Sequence, residues 1–182
     1  MNKYISIISL IMFMGGGSAL AQTDYDCFIG DEFGRVVYYE RQNSGAGSMS
    51  FSKVTGSSNP LYKDVTSPYR YIDSGMHSSL DFVDIDGDGD QDCFIGGHDG
   101  LIYYYENTGS STSAEFTQRS GSNNPLSSNN GFTDVGLKAS PAFVDIDGDS
   151  DYDCFIGETD GNINYYKNTG NSSSPTFVEW DG

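Results

Sequence analysis

The sequence predicts an all-β chain of tandem four-stranded antiparallel units, read as the blades of a partial β-propeller. Three observations carry that expectation. The chain repeats itself internally, its apolar and aromatic runs are short and bounded by Gly, Asn, Ser and Asp, and no segment has a helical period.

The repeat is the strongest of the three. "DYDCFIGDEFGRVVYYE" from Asp24, "DQDCFIGGHDGLIYYYENTG" from Asp90 and "DYDCFIGETDGNINYYKNTG" from Asp151 are copies of one pattern. Their cysteines, Cys27, Cys93 and Cys154, fall 66 and then 61 residues apart. "TGSSNPL" at 55–61 matches "SGSNNPL" at 120–126, and "LDFVDIDGDGD" at 80–90 matches "PAFVDIDGDSD" at 141–151. This is tandem duplication, and a period of this length marks a repeat architecture.

In chain order, residues 1–21 read as a secretory signal peptide. Lys3 supplies the charge, Ile5 to Met14 the apolar core, and "SALA" at 18–21 a cleavage site after Ala21. The core is too short to span a bilayer comfortably, so an exported mature chain without a transmembrane segment is expected. Residues 22–78 form an incomplete first unit and a linker, with "DCFIG", "VVYYE" and "SFSKV" as strands. The strand that would precede Asp24 is expected to be missing, because the leader occupies its place. Residues 79–139 and 140–182 are the second and third units. In them "AFVDID" alternates before an acidic loop and "DCFIG" follows it. "LIYYYEN" and "NINYYKN" are rich in aromatic and β-branched residues, and "PTFVEW" is a fourth run. Asp-Gly pairs at 99–100 and 160–161 mark tight hairpins. Four short strands per repeat make a propeller blade. The expectation is thus about two and a half blades, too few to close a ring. The sequence is then a fragment, an open array, or a subunit whose copies associate.

The formal charge is −17, and loss of Lys3 with the leader makes it −18. Nucleic acid and anionic membrane, which demand a basic face, are excluded as partners. The acid is not in a tail. It concentrates at Asp24 and Asp26, then in "DIDGDGDQD" at 84–92 and "DIDGDSDYD" at 145–153. Five aspartates at every second position repel one another unless a cation sits between them. Carboxylates at positions 1, 3, 5 and 9, with glycines to let the chain curl, offer the many hard oxygen ligands that Ca²⁺ takes. Mg²⁺ prefers a stricter octahedron, and zinc prefers His or Cys, neither of which is near. An EF-hand fits the start of the loop but fails at its twelfth position, where Ile95 and Ile156 replace the Glu, and its flanks here are strands. The competing reading is a solvated acidic turn that binds nothing.

"PAFVDIDGDSDYDCFIGETDGNINYYKNTG" resembles the FG-GAP repeat, also called the VCBS repeat, which is related to the blades of the integrin α-subunit propeller. The resemblance covers essentially the whole mature chain. It implies that the loop joins the first two strands of a blade and holds one Ca²⁺. Side chains at positions 1, 3, 5 and 9 and the carbonyl at position 7 would bind. Here these are Asp84, Asp86, Asp88 and Asp92 with Asp90 through its carbonyl, and Asp145, Asp147, Asp149 and Asp153 with Asp151 through its carbonyl. Two Ca²⁺ per chain are expected, with no intact third site.

The remaining candidates read as structural. The three cysteines occupy equivalent places in successive units, too far apart for pairing, and are expected to be buried thiols. Tyr38, Tyr39, Tyr104, Tyr105, Tyr165 and Tyr166 recur in register. One of each pair is expected to pack between blades and the other to lie outside, rather than to form a glycan-stacking surface. Asn171-Ser172-Ser173 matches a glycosylation sequon. His77 and His98 do not recur, and no nucleophile elbow or phosphate loop is present, so no enzyme is expected. Two functions remain. One is a secreted Ca²⁺-stabilised binding or adhesion module for a protein or glycan. The other is a structural subunit that self-assembles into a ring or filament through its incomplete terminal blades.

Overall fold

The computed structural model describes residues 8–13, 24–31, 33–43, 49–61 and 77–180. Three antiparallel four-stranded sheets are present, each with its strands side by side in chain order. The first holds β1 (Ile8–Phe13), β2 (Asp24–Gly30), β3 (Val36–Asn43) and β4 (Met49–Val54). The second holds β5 (Ser79–Val83), β6 (Asp92–Gly96), β7 (Ile102–Asn107) and β8 (Phe116–Arg119). The third holds β9 (Ser140–Val144), β10 (Asp153–Gly157), β11 (Ile163–Asn168) and β12 (Phe177–Glu179). The sheets are open, and single-turn 3₁₀ segments are the only helical elements among the described residues.

The period of two explains how one sheet serves two cores. Successive side chains of a strand point to opposite faces. On β6, Cys93 and Ile95 face the first sheet while Phe94 faces the third, and all three are 0% exposed. On β7, Tyr105 joins the core with the first sheet, and Ile102 and Tyr104 join the core with the third. The first core adds Phe28, Val36, Tyr38 and Leu61 from the first sheet and its following turn. The second adds Cys154, Ile156, Tyr166 and Phe177 from the third sheet. Each such side chain stabilises by roughly 1.5–3 kcal/mol when fully buried. The expectation that one tyrosine of each pair lies outside therefore fails in the middle sheet. Tyr104 and Tyr105 are both buried because both faces of that sheet are covered.

The sheets also meet through their first strands. Asp81 on β5 accepts the Phe143 N–H of β9 at 2.7 Å, and the Ser79 and Ser140 hydroxyls are 2.8 Å apart. The glycines that end the first two "DCFIG" runs make room for the leading segment of the next sheet. A Cβ on Gly30 would lie 2.1 Å from the Ser78 carbonyl oxygen, and one on Gly96 2.0 Å from that of Ala139. Cys93 and Cys154 are buried and free, and burial pushes their thiols well above the ordinary range.

One expectation is corrected here. The first unit does not lack its leading strand, since Ile8–Phe13 pairs antiparallel with β2, Ile8 opposite Ile29 and Phe13 opposite Asp24. An apolar, partly β-branched run meets the needs of a strand beside "DCFIG" as well as those of a leader. The expected cleavage point after Ala21, and residues 62–76 of the expected first unit and linker, lie outside the described residues.

Candidate metal centre

Each acidic loop connects the first two strands of its sheet, β5 to β6 and β9 to β10, and the two loops share one backbone conformation. In the second sheet, Asp84 accepts the N–H of Gly87 at 2.8 Å on one oxygen and that of Gly89 at 3.1 Å on the other. Asp86 accepts the Asp88 N–H and Asp88 the Asp90 N–H. In the third sheet Asp145 accepts from Gly148 and Ser150, Asp147 from Asp149, and Asp149 from Asp151. These local bonds wind the chain into a hook on which carboxylate oxygens converge. Oxygens of Asp84, Asp86 and Asp88 lie within 4.8 Å of one another, as do those of Asp145, Asp147 and Asp149.

The side chains of Asp90 and Asp151, residues the resemblance gives as carbonyl ligands, are buried, and Oδ1 of each has no hydrogen-bond partner. A buried, unsatisfied carboxylate oxygen is costly, and a cation would satisfy it. Asp92 and Asp153 are engaged by the fold itself. Asp92 accepts the Asn107 N–H at 2.7 Å and the Tyr104 hydroxyl at 3.2 Å. Asp153 accepts the Asn168 N–H at 2.7 Å and the Tyr165 hydroxyl at 3.1 Å. Asp26 makes the same pair of bonds, to Arg41 N–H and the Tyr38 hydroxyl, in a sheet without the loop. This carboxylate is thus an anchor between the second and third strands whether or not a loop precedes it.

Charge in the two loops is managed unequally. In the second sheet, burial pushes Asp90 up to about 6 and Asp92 up to about 7, and burial with the neighbouring Asp88 raises Asp86. In the third, Lys167 pairs with Asp147 and holds that carboxyl below the ordinary range. The sequence gives Lys167 no local connection to the loop. It arrives from β11, at the position where β7 carries Glu106, which is paired instead with Arg119 at 2.8 Å.

A cleft of about 510 Å³ lies between the second and third sheets, lined by Asp86, Tyr104, Glu106, Ser122, Asn123 and Ser173 among others. Sequence reading also missed that His77 and His98 stack, with ring centroids 5.9 Å apart. Their separation of 21 positions gives no signal for it. Asn171 stands exposed in the β11–β12 turn. No family model matches the chain, and neither a curated protein nor a solved structure matches it. Among the described residues no helix is long and apolar enough to cross a membrane.

Proposed function

We propose that the protein is a secreted, non-catalytic binding or adhesion module, stabilised by one Ca²⁺ in each of its two acidic loops. Its sheets are read as blades of a partial propeller of FG-GAP type. The observation that carries the reading is the duplicated loop. In both copies three carboxylates converge and a fourth, buried, keeps an unsatisfied oxygen. The residues fit a hard cation of high coordination number. Asp84, Asp86, Asp88 and Asp90 would hold one ion, and Asp145, Asp147, Asp149 and Asp151 the other. Ca²⁺ supplies the positive charge that relieves repulsion among these carboxylates. Asp92 and Asp153, which the family resemblance makes ligands, fix the end of each loop against the neighbouring strand. The partner, a protein or a glycan, would be met by loops at the edges of the sheets.

Thermal unfolding with and without metal tests this. At Ca²⁺ one hundred times the dissociation constant each site adds about 2.7 kcal/mol. For a chain of this size that raises Tm by roughly 5–10 °C per site. Asp86→Ala and Asp147→Ala are each expected to lose one site's share of that increase. A midpoint indifferent to Ca²⁺ in the parent chain contradicts the reading.

A further inference from the structure

The third sheet repeats the covered face of the second, but leaves it bare. Val83, Ile85 and Ile102 are each 3% exposed, because the third sheet lies on them; Val144, Ile146 and Ile163, at the same repeat positions, are 43%, 56% and 71% exposed. Phe155 stacks on Tyr165 at 4.7 Å and 18°, as Phe94 stacks on Tyr104, yet only the latter pair is buried. Trp180 adds another 58% exposed aromatic beside them.

A glycine makes a second, independent observation. Gly30 and Gly96 are required, because the leading segment of the next sheet passes within about 2 Å of where a Cβ would be. Gly157 occupies the same position, does not have a positive φ, and would meet nothing within 4 Å. Among the described residues nothing requires it to be glycine.

The complementary face exists as well. Cys93, Ile95 and Tyr105 cover the first sheet, and Cys154, Ile156 and Tyr166 cover the second; all six are 5% exposed or less. Their equivalents on the first sheet, Cys27, Ile29 and Tyr39, are only half-buried. The same pair of faces already meets twice inside one chain.

We propose that the bare face of the third sheet is covered by the Cys27–Ile29–Tyr39 face of a second copy of the chain, in a third instance of the internal contact. The contact is heterologous, so copies add head to tail until they close or continue as a filament. The inference rests on the repeat packing and not on the metal.

Sedimentation of the full chain at tens of micromolar tests it, alongside Gly157→Ala and Ile163→Lys. The parent is expected to run heavier than one chain of 19.8 kDa. Both variants are expected to run as single chains that keep the parent's circular-dichroism spectrum, since in one copy position 157 is open and Ile163 exposed. Gly96→Ala, the same change where the contact is internal, is expected to lower the thermal midpoint. A parent of single-chain mass overturns the proposal, and so does a heavier species whose mass neither variant changes.

Discussion

Ser150 shows at one residue what the loop demands of its backbone. It takes φ 74°, where Gly89 takes φ 93° in the other loop, because its N–H must turn inward to Asp145. A side chain in the left-handed region costs roughly 1–2 kcal/mol. Glycine removes that cost but loses about 0.4–1 kcal/mol through greater freedom of the unfolded chain. Ser150→Gly is therefore expected to stabilise the protein by about 0.5–1 kcal/mol, read from the denaturant midpoint. An unchanged or lower midpoint would show that the serine relieves its own strain. The sequence showed the departure from glycine but not its geometry. The same holds for Asp92. Its spacing reads as that of a ligand, and its partners, Tyr104 and the Asn107 N–H, come from a strand whose register no local pattern fixes.

The acidic loop makes a prediction about pH at the scale of the element. In the metal-free second loop, burial holds Asp90 protonated to about pH 6 and Asp92 to about pH 7, while the unfolded chain releases both protons near the ordinary value of about 3.9. Between these limits the native state binds more protons than the unfolded state, so stability falls as pH rises. The metal-free protein is expected to be more stable at about pH 4.5 than at pH 7. Excess Ca²⁺ is expected to abolish or reverse that difference, because the ion would take the place of the proton on Asp90 and its charge would favour the ionised form of the nearby Asp92. Urea unfolding at both pH values, with and without Ca²⁺, measures it; a metal-free chain more stable at pH 7 would contradict the burial of these carboxyls. The strands and both loops were legible in the sequence, since alternation, aromatic runs and Asp-Gly turns each have a local signature. β1 was not. Its apolar run has the composition expected of a leader and also pairs with β2, and cutting after Ala21 would leave the β2 edge to be covered by something else.

At the scale of the whole molecule, stability is a sum over neighbours, as in other repeat arrays. The second sheet is held by two cores and the third by one, with the second sheet's acidic loop, at Gly87, close against the turn of the third sheet at Ser172 and Ser173. The number of units could be read from the cysteine spacing. Which face of each unit is covered depends on what lies beside it, and equivalent strands therefore carry buried Ile102 and exposed Ile163. The central claim is that duplication gave the chain two equivalent metal loops and left the first sheet with none. Calorimetric titration of the metal-free protein with Ca²⁺ tests it most directly. The account predicts saturation at two ions per chain, whereas no binding, or a third ion bound as tightly as the first two, would contradict it.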